Sequence, residues 1–430
     1  MAPKIVRVPL FLVGAVLIFI IGVRIGSNFC EIKQEPYAID SSLSTATKLN
    51  KNLQSIEKKD FKSFSFAYNT THLWSMRLAD DNYYRIARLL PCRTVKYTNG
   101  PNQEIMNSCD QSVINEFSVE ATLHAQQWLY EHQHPIDCTN KKFAILHSFA
   151  WSGFGSTLHQ IVWAFGRALA EDRIAIYETP GNWLHGNCKL GTPDCFFRPI
   201  SNCSIPSKVH GNQTIRMPAN THHWFEPTHP PIFQNQSFNW YRSQLLFYLI
   251  RYNPETLAYV QSTVAKYFNP PSVDSHRPYI AVYVRRSDKV RGREMSQSYS
   301  LQQYFDLFDT DARLAKITKV YVNSEDQKVF SEFDQLNKNK QGYYKLLSID
   351  ATRDVTFPTL ISMPVEQRSK IILEFLTDLY IEVNADLHVG TLTSNWCRLV
   401  DEMRFVLEYD DDDDGGRILR LKENSASCTS

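Results

Sequence analysis

The sequence carries no excess charge of either sign. Lys and Arg number 46 against 45 Asp and Glu, a formal net charge of +1 over 430 residues. A generic nucleic-acid binder has a large basic surplus, so that class is excluded. Beyond one N-terminal run there is no long apolar stretch, which excludes a multi-span membrane protein. No internal repeat is visible, which argues against a solenoid. Metal-ligand spacing is also missing. Cys188, Cys195 and Cys203 are separated by six and seven residues, unlike a zinc knuckle, and His222-His223 are adjacent rather than one helical turn apart. No Ser-His-Asp or Cys-His arrangement is legible. What is present is a globular composition: 43% hydrophobic and 21% charged, which excludes a mainly disordered chain. The length gives a prior of two to three domains.

The first thirty residues carry an address. Positions 8–23 are free of charge, preceded by Lys4 and Arg7 and followed by Arg24. A spanning helix needs about 20 apolar residues, and flanking arginines snorkel to lengthen a short one. A signal peptide has an apolar region of about 7–15 residues and a small-residue cleavage site, and no clean site is seen. The run therefore reads as a signal anchor over 8–24 with a cytoplasmic N-terminus, giving a single-pass type II protein whose bulk is luminal. Sequons at Asn69, Asn202, Asn212 and Asn235 agree with a lumen, and so do nine cysteines, for which disulfides are the natural reading. Eight cysteines lie beyond Cys30 and allow 105 pairings. Cys30 itself would link two stems into a homodimer, accept a lipid, or stay a thiol.

Residues 1–7 read as a cytoplasmic tail and 25–92 as a polar luminal stem without sustained strand alternation. From Phe143 the texture becomes strand, Gly-containing turn, helix and strand, and 93–270 reads as an N-terminal α/β lobe. Within it, 180–240 reads as an irregular, disulfide-held surface region. Asn269-Pro270-Pro271 marks a boundary. Residues 271–409 alternate strand and helix as in a Rossmann-like domain, with capping-box patterns at Ser300 and at Ser324. A polar tail, 410–430, begins with five aspartates and reads as a disordered acidic end. Ligands of such sheets sit at the strand C-terminal ends, here after Val284, Val322 and Gly390.

The sharpest local feature follows Val284. Arg285, Arg286, Lys289, Arg291 and Arg293 place five basic residues in nine positions, with Asp288 among them and Glu294 next. Two arginines at a strand end can grip a diphosphate through forked N–H donors, whereas a solvated basic loop would look the same in sequence.

Val284-Arg-Arg-Ser-Asp-Lys289 resembles the Val-Arg-Arg-Thr-Asp-Lys signature of the α1,6 (core) fucosyltransferases. Gly153-Phe-Gly-Ser-Thr-Leu-His159, Phe197-Arg-Pro-Ile-Ser201 and Thr393-Ser-Asn-Trp-Cys-Arg398 resemble three further segments of that family, in the family's order. The resemblance implies a GT-B-like α/β fold and inverting transfer of L-fucose from GDP-β-L-fucose to a glycan. The expected acceptor is the core GlcNAc of N-glycans, through an α1,6 bond in the Golgi, with no metal or other cofactor. It implies that Arg285 and Arg286 hold the pyrophosphate, that Lys289 adds charge as GDP leaves, and that Asp288 orients the arginines or the acceptor. By the same resemblance Glu294 would be the general base, one residue further from the lysine than in the family. Tyr304, Glu325, Asp326, Asp378, Ser394, Gly153 and Gly155 match donor-side positions.

Each match has a plainer alternative. Glu325 and Asp326 would complement a helix dipole. Glu374, Asp378 and Glu382 fall at i, i+4, i+8, as a solvent stripe does. Ser394 would be an N-cap, Gly153 and Gly155 an ordinary turn, and His159 a structural residue. The sequence departs from the family in three ways. Tyr283 stands where the family has His. Gly390 replaces a cysteine that would pair with Cys397. Only 33 residues follow Cys397, too few for the family's terminal Src-homology-3 barrel. Two other functions stay open: a catalytically silent GDP-sugar or glycan-binding protein of the same fold, and a fucosyltransferase with a protein or chitin-like acceptor.

Overall fold

The structure, a computed structural model, describes residues 74–79, 92–97, 105–109, 119–186, 188–206, 211–220, 229–286, 298–355 and 357–406. All lie in one compact unit, Phe64–Ser430. The anchor run 8–24, Cys30, Asn69, His222-His223, the stretch 287–297 and the acidic tail lie outside the described residues. Among those described, no helix is long and apolar enough to cross a membrane.

The fold is α/β with two sheets. Three parallel strands, β4 (Phe143–His147), β5 (Ile174–Tyr177) and β6 (Thr214–Pro218), form the smaller sheet in the order β5-β4-β6. Helix α1 (Val119–Gln133) precedes it, and α2 (Phe154–Ala170) connects β4 to β5. The larger sheet has seven strands in the order β3-β2-β1-β10-β7-β8-β9. They are β1 (Trp74–Ala79), β2 (Cys92–Tyr97), β3 (Ile105–Cys109), β7 (Ile280–Val284), β8 (Lys319–Ser324), β9 (Lys345–Leu347) and β10 (Leu387–Thr391). Every pairing is parallel except β2 with β3, where Cys92 and Cys109 are register partners.

Helices α3 (Phe238–Leu249), α4 (Pro254–Tyr267), α5 (Leu301–Leu314), α6 (Lys328–Asn339), α7 (Phe357–Ser362), α8 (Val365–Val383) and α9 (Asn395–Val406) complete the unit. The helical pattern through 243–267 splits in two because Asn253 caps α4 and Pro254 follows as its first residue. Ser300 forms the expected capping box on α5. Strand β1 comes from the stretch read as stem. Its Arg77 stands between Met76 and Leu78 and is fully buried, so its pattern looks polar in sequence although it is a core strand.

Period-two alternation sorts the large sheet's side chains. Ile280, Val282, Val284, Val320, Val322, Leu387 and Val389 pack against Tyr304, Phe305, Phe308, Val329 and Phe333 of α5 and α6. On the other face Tyr279, Ala281 and Tyr321 join a second core with Leu376, Leu379, Leu399 and Met403 of α8 and α9. That core runs on into the small sheet's Ala144 and Leu146 and into α2 and α3. Region 180–240 is less superficial than its composition suggests, since it supplies β6 and buries Trp183, Phe196 and Phe197. Two disulfides brace it, Cys138–Cys203 and Cys188–Cys195. Asn202, Asn212 and Asn235 are exposed.

Cys397 is a buried free thiol, and burial pushes its pKa up to about 12. A Cβ added at Gly390 would overlap its Sγ. The pair therefore packs as glycine against thiol where the family resemblance implies a disulfide. Gly390→Ala should lower stability by about 1–3 kcal/mol through this overlap. Adding Cys397→Ala should restore most of the loss, and thermal melts of the single and double variants check both.

Candidate functional site

The larger sheet ends its parallel strands at one edge, and the described part of the candidate site is built there. Arg285 and Arg286 follow the last residue of β7. The Arg285 backbone N–H donates to the Tyr304 hydroxyl on the first turn of α5 at 3.3 Å. Glu325, just past β8, is the shared anchor. Its Oε1 takes the Arg285 guanidinium at 2.7 Å and the Arg286 backbone N–H at 2.7 Å. Its Oε2 accepts from the Tyr283 hydroxyl at 3.4 Å. The Arg286 fork engages Glu332 of α6, Nη1 to Oε1 and Nη2 to Oε2, both at 2.6 Å. Asp326 lies 3.5 Å from Arg286 Nη1. Donating to the Glu332 carboxylate raises the pKa of Arg286 above the ordinary guanidinium value. Two guanidiniums are thus met by three carboxylates, and Glu332 was not singled out in the sequence.

Ser324 does not open a helix. It is the last residue of β8, its hydroxyl donates to Val284 O at 2.8 Å, and α6 starts only at Lys328. Glu325 and Asp326 therefore sit in the strand-to-helix loop, not in a helical first turn, and the dipole reading falls.

The two glycines of the 153–155 turn differ. A Cβ at Gly155 would come 2.9 Å from Asn395 O, so this glycine permits α2 to abut the start of α9. Gly153 has open space around it. Ser394 is the N-cap of α9, its hydroxyl accepting from the Cys397 N–H at 3.3 Å. Phe154 meets Trp396 at 6.4 Å between ring centroids, and Trp396 meets Tyr283 at 5.9 Å. This aromatic row links the turn of the small sheet to β7. His159 is buried and paired with Glu402 of α9 at 2.7 Å, and Arg242 of α3 pairs with the same carboxylate. It ties helices together and does not reach the arginines.

The acidic stripe of α8 is not a solvent face. Glu374, Asp378 and Glu382 are all buried. Glu374 accepts from the Thr352 N–H at 2.8 Å, holding the loop after β9. Asp378 takes the Tyr321 hydroxyl and lies 3.8 Å from the Arg353 guanidinium. Glu382 accepts from Asn323 Nδ2 at 2.6 Å, from His388 Nε2 at 2.9 Å and from Trp396 Nε1 at 2.9 and 3.0 Å. Arg77 Nη2 faces His388 Nδ1 at 2.8 Å and also pairs with Asp401. Arginine only donates, so Nδ1 accepts and Nε2 carries the hydrogen to Glu382. Arg77, Tyr283, Tyr321, Asn323 and His388 all alternate with core residues in their strands. That alternation is the sequence signal for a polar face beneath the site.

Asp288, Lys289 and Glu294 lie in 287–297, outside the described residues. The structure therefore brings together Arg285, Arg286, Tyr304, Glu325 and Asp326. Asp378 lies deeper, held by Tyr321 and Arg353. Among the described residues no group of three His, Cys, Asp or Glu could hold a metal ion.

Burial raises the Asp378 pKa to about 7, with Arg353 and Tyr321 opposing and Glu382 and Glu374 reinforcing. A carboxyl whose folded pKa exceeds its unfolded one loses stability as pH rises between the two values. Asp378 should cost stability progressively from about pH 4 to about pH 7 and then level off. Asp378→Asn should gain melting temperature relative to the unsubstituted chain at pH 8 and show no gain at pH 4. Arg353 keeps Asn323 Oδ1 and Ser324 O as partners in that variant.

Residues 231–415 match the family model described as alpha-(1,6)-fucosyltransferase N- and catalytic domains. An alpha-(1,6)-fucosyltransferase of Drosophila melanogaster is 22% identical over 306 residues, covering 65% of this chain and 46% of that protein. The chain thus spans about half the length of this relative. Solved structures of POFUT1 also align: the apo form and a GDP complex, each 13% identical over 77% of this chain and 94% of theirs, and a GDP-fucose complex, 13% identical over 78% and 95%. All three have a TM-score of 0.28. The matched region, 231–415, contains the paired arginines and every strand from β7 to β10.

Proposed function

We propose that this protein is an inverting fucosyltransferase that moves L-fucose from GDP-β-L-fucose to a glycan hydroxyl, forming an α1,6 bond on the core GlcNAc of N-glycans. The observation that carries this reading is the placement of Arg285 and Arg286. Both leave β7 at the C-terminal edge of a parallel sheet, inside the stretch that matches the family. The acceptor oxygen attacks C1 of fucose as the bond from C1 to the β-phosphate oxygen breaks. Glu294 takes the acceptor proton, and GDP leaves with the bonding pair. Arg285, Arg286 and Lys289 meet the charge that develops on the diphosphate, an electrostatic role that needs no covalent intermediate. Asp288 orients the arginines or the acceptor. Tyr304, Glu325 and Asp326 hold the arginine backbone and side chains, and Asp378, Gly153, Gly155 and Ser394 complete the donor side.

The two sheets, joined through α2 and α9, suit a GT-B-like division with no metal requirement. Exposed Asn202, Asn212 and Asn235 suit a luminal catalytic region, anchored in the Golgi membrane by 8–24 and paired through the stem. A second reading, a catalytically silent binder of GDP-sugars, draws on Tyr283, which stands where the family has His and is tied to Glu325.

Calorimetry of the full chain with GDP should show binding that Arg286→Ala weakens. With GDP-fucose and a GlcNAc-terminated biantennary glycopeptide, turnover in Arg286→Ala should fall by about 10²–10³-fold. Glu294→Gln should bind GDP normally and lose acceptor-dependent GDP release. Binding without any acceptor-dependent release in the unsubstituted chain would establish the silent binder instead.

A further inference from the structure

We propose that Glu332 is an internal competitor for the diphosphate: it occupies the Arg286 fork, and the donor must displace it. The inference rests on the donor-binding reading of Arg286 and adds to it a residue that sets donor affinity. The geometry is that of an anion site already filled. Two parallel N–H···O contacts of 2.6 Å join the guanidinium to the Glu332 carboxylate, the same fork an arginine presents to a phosphate.

The two partners are unequal. The Arg286 side chain is 12% exposed and the Glu332 side chain 41%. Arg286 is also pinned through its backbone N–H to Glu325. Glu332 stands on a helix position from which its carboxylate can return to water with little desolvation cost. The fork would then stay in place and Glu332 leave it. Arg286 Nε is buried and has no hydrogen-bond partner among the described residues, so the carboxylates leave the guanidinium incompletely satisfied.

A carboxylate in the fork sets a threshold. A monophosphate offers one group and has to replace Glu332 with little else gained. A diphosphate brings a second phosphate, which can also reach Arg285 beside Arg286. Glu332 thus lowers the affinity of any ligand whose phosphate takes the fork, and the second phosphate lets a diphosphate bind in spite of it.

The test is calorimetric titration of the full chain with GDP and with GMP, in the unsubstituted protein, Glu332→Gln, Arg286→Ala and the double variant. Glu332→Gln should bind GDP about five-fold more tightly, the scale of a partly exposed ion pair. GMP should gain by no more than GDP, since removing Glu332 relieves it of at most the same displacement cost. The double variant should show neither gain. A folded Glu332→Gln, with an unchanged melting temperature, that binds GDP equally or more weakly overturns the proposal and leaves the donor reading standing. Absence of GDP binding in the unsubstituted chain and in Glu332→Gln alike overturns the donor reading and this proposal together.

Discussion

A carboxylate buried away from water must be met by donors or give up its charge, and Glu382 is met by three. Asn323 reaches it from the end of β8, His388 from β10 and Trp396 from the first turn of α9. Each donor comes from a different element, so one side chain of α8 fixes the mutual position of two strand ends and a helix start. Taking away the carboxylate would leave three buried donors unpaired, at a cost of about 1–3 kcal/mol for each. The linkage runs outward in both directions. Through His388 it continues to Arg77 and Asp401, binding β1 to the sheet. Through Trp396 it passes by ring contact to Tyr283, then to Glu325, then to both arginines.

Much of this architecture was legible before any coordinates. Strands at β4, β7, β8 and β10 show in their apolar runs, and the capping box at Ser300 fixes the start of α5 because both of its bonds are local. Where the reading failed, the deciding partner was distant in sequence. Ser324 has the same local pattern as Ser300, but its hydroxyl is taken by Val284 O, 40 residues earlier, and the chain stays in strand. The spacing of Glu374, Asp378 and Glu382 correctly puts them on one face. Periodicity cannot say whether that face meets water or the polar side chains of three strands. Arg77 and His388 are 311 residues apart, and neither is informative alone.

The basic cluster after Val284 looked like a concentrated positive site. The described portion is close to balanced, because Glu325, Asp326 and Glu332 accompany Arg285 and Arg286. This follows from the same constraint that governs Glu382. Arginines held nearly out of water need partners at all times, with or without a ligand. A near-neutral chain and a local concentration of arginines are therefore compatible: the carboxylates that satisfy the arginines also cancel them in the overall count.

The two carboxylates that matter most to the arginines are held differently, and this separates positioning from exchange. Glu325 is bound on both oxygens, by Tyr283 on one and by Arg285 and the Arg286 backbone on the other. Glu332 touches only the outer fork and is the more exposed of the two. An incoming anion approaches from the solvent side and competes first with the partner that returns to water most easily. In the proposed exchange the inner carboxylate keeps both arginines oriented while the outer one gives way to phosphate. Preorganisation and openness to a ligand are thereby assigned to different residues, and Glu382, three contacts further in, holds the inner one in place.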